Sequence, residues 1–202
     1  MKVKVCGITN LADAEHAVSL GADAIGFIFT RSPRRISSKK AAAISRVLGP
    51  WVTTVGVFVD EKPQNIRRIA RECRLGVIQL HGNESSADAK TLQPLKVIKV
   101  FGVDANFEPN ALKPFSGVDA FLFDTKINGR SGGTGKTFDW NQFDTKKIRK
   151  PVIISGGLNA GNVRAAIKRF KPYGVDVSSG VEKTPGKKDL RLLKEFMENA
   201  KG

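Results

Sequence analysis

The stretch KVKVCGITN near the start of the chain ends a short alternating run in Cys6, which Gly7 follows at once. One interpretation is a small buried side chain, since a free buried cysteine is usually inert packing. The other is a thiol at the mouth of a site, because cationic surroundings stabilise a thiolate that can act as a base. The groups that the fold brings beside Cys6 decide between the two.

Asp124 is the second candidate for chemistry, because it follows the apolar run AFLF. A carboxylic acid next to apolar side chains can serve as a proton donor. The alternative is an aspartate that caps the next segment or pairs with a lysine. We therefore predict two catalytic residues, Cys6 and Asp124.

Two turns rich in glycine and serine, ISGGLNAGNV and DVSSGVEKTPGKKD, predict a phosphate site. Gly156 and Gly157 let the backbone approach a ligand, while Ser178 and Ser179 supply N–H groups and hydroxyls. A short helical turn at this point would direct its N-terminus towards an anion. Asp176, in the second stretch, belongs to the same predicted substrate-binding set. The alternative is a pair of tight turns that simply require glycine.

Three basic side chains complete the candidate site. Arg34 and Arg35, in SPRRIS, carry the planar guanidinium that suits a bidentate carboxylate contact, although a solvated surface charge is the ordinary role of arginine. His81, in QLHG, either lines the site or satisfies a backbone group. We assign Arg34 and His81 to the substrate-binding set.

Strands rich in Val, Ile and Phe must position these residues. Eight such runs occupy 2–6, 23–29, 53–60, 76–82, 96–102, 119–125, 151–157 and 174–180. Segments with helical spacing lie between them, at 11–20, 38–48, 62–73, 84–92, 159–170 and 187–200. This alternation predicts an α/β fold with a parallel sheet, and about 25 residues per unit favours a single-domain (β/α)8 TIM barrel over residues 1–202. An open doubly wound sheet is the alternative.

Helix boundaries can also be read from the residue types. N-cap residues are expected at Thr9 or Asn10 before the first helix, at Asn83 or Ser85 before the fourth, and at Asn159 before the seventh. Gly21, Gly49 and Gly76 stand where helices are expected to end. The fifth and sixth connections have the weakest helical patterns.

The barrel brings the candidate residues together, because function collects at the C-terminal ends of its strands. With phosphate held over strands seven and eight, Cys6 on strand one and Asp124 on strand six flank the substrate. A carboxylate at the far end of that substrate would meet Arg34. Acid, base, phosphate site and carboxylate site thus fit one small phosphorylated molecule.

The net charge of +15 raises the alternative of a nucleic-acid-binding module. The basic residues are spread over many segments, however, and only 7% of the residues are aromatic. Neither a basic tail nor basic-aromatic interleaving is present. We expect a small-molecule partner and no nucleic acid.

Metal, disulfide and membrane roles also find little support. Cys6 and Cys73 show no spacing that suggests a disulfide, and with two histidines the chain has no zinc motif. No apolar run approaches the roughly 18–20 residues of a membrane helix, and residues 1–30 lack the basic, then apolar, then small-residue pattern of a secretory signal. We expect a cytoplasmic protein without a metal or a membrane partner.

The segment RSGGTGKTFDW, at 130–140, contains the G-K-T of a phosphate-binding P-loop. The first glycine of that motif would fall at Arg130, and the segment follows strand six rather than opening a nucleotide-binding unit. We therefore predict a glycine-rich lid over the site.

Taken together, KVCGITN, ADAIGFIF, SPRRIS, VGVFVD, QLHG, FDT…GGTGKTFDW, ISGGLNAGNV and VDVSSGVE…PGKKD closely resemble the phosphoribosylanthranilate isomerase family of tryptophan biosynthesis. These motifs follow in order over essentially the whole chain. The pairing of CGIT in strand one with SSGVE-x3-PGKKD near the end is the most specific feature.

The resemblance implies an Amadori rearrangement of N-(5-phosphoribosyl)anthranilate without a cofactor. It implies that Asp124 is the general acid, that Cys6 is the general base, and that Arg34 binds the anthranilate carboxylate. Arg35 stands where the family often has an aromatic residue, so either arginine could make that contact. A histidine-pathway aminoaldose isomerase is the alternative enzyme, and the oligomeric state is expected to be a monomer or a homodimer.

Overall fold

The computed structural model describes residues 1–103, 107–127, 130–131, 145 and 148–202. The barrel strands are β1 (Lys2–Cys6), β2 (Ala24–Ile28), β3 (Thr53–Phe58), β4 (Val77–Leu80), β5 (Lys96–Val103), β6 (Ala120–Ile127), β7 (Val152–Ile154) and β8 (Gly174–Val177). They pair in parallel in the order β5-β4-β3-β2-β1-β8-β7-β6, and pairing of β5 with β6 closes the ring. The predicted (β/α)8 barrel is confirmed, and the open doubly wound sheet is wrong.

Helices connect most of the strands. The α-helices are α1 (Leu11–Ser19), α2 (Ser38–Val47), α3 (Pro63–Cys73), α4 (Ser86–Thr91), α5 (Val163–Phe170) and α6 (Leu190–Lys201). The fifth connection is a 3-10 helix over Pro109–Phe115, where two prolines limit regular hydrogen bonding. Within the described ranges, no helix combines the length and the apolar character needed to cross a bilayer.

Two shorter features follow β6 and β8. Arg130–Ser131 pairs antiparallel with the end of β6, and the rest of the lid predicted at 130–140 lies outside the described residues. After β8, a 3-10 turn over Ser179–Val181 leads into a small antiparallel hairpin of Glu182–Thr184 and Lys187–Lys188. This hairpin lies beside the candidate site.

The hydrophobic core has two layers, because successive strand residues face opposite sides of the sheet. The larger layer lies between strands and helices and includes Val3 and Val5 of β1. A smaller cluster fills the barrel interior, formed by Ile98, Val100, Ala120, Leu122 and Ile153. The same alternation turns Lys4 and Cys6 of β1 inwards.

Most of the predicted helix boundaries are present. Asn10 caps α1 by accepting a hydrogen bond from the N–H of Asp13, and Ser85 forms a capping box on α4. Gly21 follows α1 with a positive φ of 93°. The prediction for Gly76 is wrong, because Arg74 adopts the left-handed conformation at the end of α3, with φ 52°. The prediction for Asn159 is also wrong, because α5 begins at Val163 and Asn162 is its N-cap.

Candidate active site

A cleft of about 440 Å³ opens at the C-terminal ends of the barrel strands. All the predicted site residues line it, although they come from six different strand ends or loops. They are Cys6, Arg34, His81, Asp124, Gly156, Gly157, Asp176, Ser178 and Ser179. The fold therefore brings the whole candidate set into one place, and their individual roles remain predictions.

Cys6 ends β1 at the floor of this cleft, with 5% of its surface exposed. Gly26 lies opposite in the β1–β2 register, and a Cβ there would lie 2.8 Å from the sulfur. Glycine at this position therefore makes room for the thiol. Burial raises the pKa of Cys6, and the nearby Lys4 ammonium opposes that rise.

A buried ion pair lies beside this thiol. The Lys4 Nζ atom donates to the Asp176 Oδ1 atom at 2.8 Å, and each side chain is 6% exposed. The hydroxyl of Ser155 lies 3.4 Å from the Asp176 Oδ2 atom. Sequence reasoning placed Asp176 in the site but missed Lys4, whose position two residues before Cys6 in an alternating strand was the available signal.

Asp124 and His81 meet on the other side of the cleft. The His81 Nε2 atom lies 3.5 Å from the Asp124 Oδ2 atom, and Asp124 is only 3% exposed. Among the described residues, the Asp124 Oδ1 atom has no hydrogen-bond partner. The Asp124 side chain is nevertheless among the residues that line the cleft.

Gln79 lines the same cleft next to His81. Its Nε2 atom lies 3.5 Å from the His81 Nδ1 atom, and the side chain is buried. Sequence reasoning missed Gln79, although a lone polar residue two positions before His81 in a buried strand indicates the same inward face.

The structure separates the two candidate arginines. Arg34 lines the cleft, whereas Arg35 is exposed and its backbone bridges to Ile28. The Arg34 side chain crosses Gly7, where a Cβ would approach its Cδ atom to 2.8 Å. Of the two candidate arginines, Arg34 is thus the one that lines the cleft.

Glu182 holds Arg34 in that position. Arg34 Nε donates to both Glu182 oxygens, and Nη2 donates to Oε2 at 2.7 Å. Lys188 Nζ donates to Glu182 Oε1 at 3.1 Å and to the carbonyl of Cys6 at 2.6 Å. Neither Glu182 nor Lys188 was given a role from sequence, although both belong to the late motif.

The two glycine turns adopt the geometry that close backbone approach requires. Gly156 and Gly157 have φ values of 86° and 65°, in the left-handed region that glycine favours. A Cβ on Gly180 would overlap the carbonyl oxygen of Leu158, so the two turns are in direct contact. Within the described part of the chain, the Ser178 hydroxyl oxygen lacks a hydrogen-bond partner.

Across the residues that the structure describes, no cluster of three His, Cys, Asp or Glu side chains is arranged to hold a metal ion.

The sequence and fold closely match proteins of one family. Residues 3–199 match the family model for N-(5'-phosphoribosyl)anthranilate (PRA) isomerase. The N-(5'-phosphoribosyl)anthranilate isomerase of Desulforudis audaxviator is 48% identical over 200 residues, which cover 98% of this chain and 97% of that protein.

Solved structures agree with this match. The crystal structure of phosphoribosyl anthranilate isomerase from Thermotoga maritima superposes with a TM-score of 0.93 at 44% identity, covering 100% of this chain and 99% of that one. A structure of monomers derived from the dimeric enzyme of that organism gives 0.86 at 41% identity, with the same coverage. A phosphoribosyl anthranilate isomerase in complex with reduced 1-(o-carboxyphenylamino)-1-deoxyribulose 5-phosphate gives 0.87 at 40% identity, again with 100% and 99% coverage.

Proposed function

The chain belongs to the N-(5'-phosphoribosyl)anthranilate isomerase family, and from the arrangement of its cleft we propose how its residues carry out the reaction. It is an isomerase of tryptophan biosynthesis that converts N-(5'-phosphoribosyl)anthranilate to 1-(2-carboxyphenylamino)-1-deoxyribulose 5-phosphate. The observation that carries the mechanism is the placement of Cys6 and Asp124 in one cleft with Arg34 and the two glycine turns.

Asp124 begins the reaction as general acid. Its carboxyl group donates a proton to the ribose ring oxygen, and the bond from that oxygen to C1′ breaks. The lone pair of the anthranilate nitrogen forms a C=N bond to C1′, which gives an open-chain Schiff base. The buried Asp124 Oδ1 atom, without a partner among the described residues, supports this role.

Cys6 then acts as general base. Its thiolate removes the proton from C2′, and the electron pair of that C–H bond forms a C1′=C2′ bond as the nitrogen regains its lone pair. The resulting enolamine tautomerises to the ketone, losing the proton on O2′ and gaining one at C1′. Substrate and product are isomers, so the proton taken by Cys6 balances the one that Asp124 donated.

The two ends of the substrate are held by different parts of the cleft. Arg34 binds the anthranilate carboxylate through its planar guanidinium, which matches carboxylate geometry. Gly156, Gly157, Ser178 and Ser179 surround the phosphate at the ends of β7 and β8, which is the usual phosphate position in this fold. His81 contacts the substrate near Asp124.

We also propose that the protein forms a homodimer through the opposite end of the barrel. Trp51 is 93% exposed just before β3, and Tyr173 is exposed just before β8. Both line a cavity of about 390 Å³ at the N-terminal ends of the strands. A second copy would cover these aromatic side chains, and the Thermotoga maritima relative is described as dimeric.

The remaining proposals concern partners and location. The basic residues outnumber the acidic ones by 34 to 19, but we propose that the partner is the phosphorylated substrate and not nucleic acid. We propose a cytoplasmic location, where a biosynthetic intermediate of this kind is made and consumed. Salt-steep binding to a generic DNA duplex that persists at physiological ionic strength would contradict the first of these proposals.

The experiment is a turnover assay with freshly prepared N-(5'-phosphoribosyl)anthranilate, followed by loss of its fluorescence. The folded protein is expected to consume the substrate without added cofactor. Absence of turnover would defeat the proposed mechanism. Parallel activity on a histidine-pathway aminoaldose would instead favour a bifunctional sugar-phosphate isomerase.

A further inference from the structure

A buried ion pair lies beside the Cys6 thiol in the barrel interior. Lys4 and Asp176 face each other across the β1–β8 pairing, and both are buried. The next interior cluster is hydrocarbon, with Val100 and Leu122 among its members. Because burying an ion pair costs desolvation that hydrophobic residues avoid, this pair is poorly explained by stability alone.

Lys4 and Asp176 act on the Cys6 thiol in opposite directions, because the Lys4 ammonium lowers its pKa and the Asp176 carboxylate raises it. Coulomb attraction and a hydrogen bond from the Lys4 ammonium favour the thiolate form of Cys6. Burial alone would lower the pKa of Lys4, but attraction to Asp176 and Cys6 raises it above its ordinary value, so the ammonium stays charged.

The surroundings of Gly26 are independent evidence that the Cys6 and Lys4 side chains pack side by side. A Cβ on Gly26 would lie 2.8 Å from the Cys6 sulfur and 3.1 Å from the Lys4 Cε atom. Any larger residue would therefore push the two side chains out of the space they share. Glycine on the neighbouring strand lets the ammonium and the sulfur occupy one side of the barrel.

We propose that Lys4 is a positioning residue that stabilises the Cys6 thiolate, and that Asp176 holds the Lys4 ammonium in place while limiting its effect. This inference rests on the proposed role of Cys6 as general base. The pair would thus set how readily the base is available before the substrate binds.

Other charged groups also lie around the thiol, and the test must distinguish their effects from that of Lys4. Lys188, from the hairpin after β8, reaches the Cys6 carbonyl and also favours the thiolate. Asp176, from β8, opposes it. Arg34, from the β2–α2 loop, lines the same cleft, and His81 and Asp124 line it from β4 and β6.

The test measures the rate at which iodoacetamide alkylates Cys6, resolved by peptide mass spectrometry, across a pH series without substrate. The K4M variant is expected to react about tenfold more slowly at neutral pH, since each unit of thiol pKa changes the thiolate fraction about tenfold. The D176N variant is expected to react faster. The double variant K4M/D176N is expected to fall between the two.

Lys2→Met provides the matched control, because Lys2 lies on the same strand with an exposed side chain and should leave Cys6 alkylation unchanged. If Lys4→Met leaves Asp176 unpaired and the protein fails to fold, the double variant is compared with D176N. Slower reaction in the double variant supports the inference. Unchanged alkylation profiles in the folded variants would overturn it.

Enzyme kinetics separate this inference from the proposed function. K4M is expected to lose kcat/KM at neutral pH and to recover towards wild type as the pH rises, which a merely structural defect would not do. Full activity of Cys6→Ser would defeat the role of Cys6 as base, whatever the alkylation result. An inactive Cys6→Ser together with unchanged alkylation in K4M would defeat only the role of Lys4.

Discussion

The Arg34 guanidinium is held along one edge by the Glu182 carboxylate, with donor–acceptor distances from 2.7 to 3.0 Å. The Glu182 side chain is almost fully buried, and its contacts fix the plane of the Arg34 guanidinium over the cleft. Burial by itself would raise the pKa of Glu182, but the contacts from Arg34 and Lys188 lower it, so Glu182 is ionised at neutral pH. The arginine that we propose to bind the substrate carboxylate is thus oriented by Glu182.

Substitution of Glu182 by Gln is expected to raise KM about tenfold with a smaller change in kcat, because Arg34 loses a charge-assisted bidentate partner worth roughly 1.5–3 kcal/mol. Steady-state kinetics check this, with Glu198→Gln on the exposed face of α6 as control. A lower KM would mean that Glu182 mainly weakens the attraction between Arg34 and the substrate.

The proposed catalytic roles of Cys6 and Asp124 are tested by Cys6→Ser and Asp124→Asn. Each is expected to lower kcat by about 10²–10⁴-fold, the usual effect of losing a general acid or base. Steady-state kinetics on the folded variants measure the loss. Either variant at the full wild-type rate would rule out that residue's assigned role.

The expected pH dependence of kcat/KM follows from the raised pKa of the Cys6 thiol. Burial raises the pKa of this thiol, so in the free enzyme the thiolate is the minor form at neutral pH. If the thiolate is the base, kcat/KM is expected to rise with pH above neutrality until the thiol has ionised. A kcat/KM value that is flat over the range in which Cys6 alkylation accelerates would contradict the assignment.

The contact between the two phosphate turns is tested at Gly180. In Gly180→Ala, the new methyl group would overlap the Leu158 carbonyl, so the turns must separate. We expect KM to rise at least about tenfold and stability to fall by about 1–3 kcal/mol, as overpacking usually costs. Gly117→Ala is the control, because a Cβ there meets open space. Equal KM values for the two variants would argue against a phosphate site at this contact.

The fold was predictable because short apolar strand runs and segments with helical spacing are local patterns of the sequence. Both patterns repeat along the chain and predict a barrel. In a barrel of this kind the functional site is expected at the C-terminal ends of the strands. The ion pairs that support the site were not predictable in this way. Lys4 and Asp176 are 172 residues apart, and Arg34 and Glu182 are 148 apart. An alternating pattern shows which face a residue takes but not which distant charge it meets.

Local signals also failed where a less favourable residue replaced the expected one. Gly76 was expected to end α3, yet Arg74 takes the left-handed conformation two residues earlier. The N–H of Gly76 instead donates to the carbonyl of Thr54, which places it at the start of the next strand pairing. Pairing with the neighbouring strand therefore determines the position of Gly76, and the preference of glycine for a helix end does not.

Asp23 joins the two ends of the chain, and its removal should weaken the fold in a pH-dependent way. It accepts hydrogen bonds from Lys2 Nζ at 2.7 Å, from Lys201 Nζ at 2.6 Å and from the N–H of Val3 at 2.9 Å. Burial by itself would raise the pKa of Asp23, but these donors lower it to about 2, from an ordinary value of 3.8. The folded state therefore binds fewer protons here than the unfolded state.

Because the folded pKa is the lower one, this stabilisation is present above about pH 4 and is lost as the pH falls towards 2. Asp23→Asn is expected to reduce the free energy of unfolding by about 1 kcal/mol at pH 7, a value kept small because the side chain is partly exposed. Urea denaturation at pH 7 and at pH 2.5 measures the difference. A deficit of equal size at both values would mean that the charge of Asp23 is not its source.

The dimer surface is tested by Trp51→Glu, which places a charge where we propose that a second copy packs. An aromatic side chain that is 93% exposed contributes little to the fold of one chain. Association is therefore expected to weaken while the secondary structure and thermal unfolding of the dissociated chain remain close to wild type. Sedimentation equilibrium at several protein concentrations measures the change, with Val47→Glu as a control for an exposed apolar residue that does not line the cavity. A wild-type protein that sediments as a monomer at every concentration would refute the dimer, and an equal effect of both variants would place the contact elsewhere.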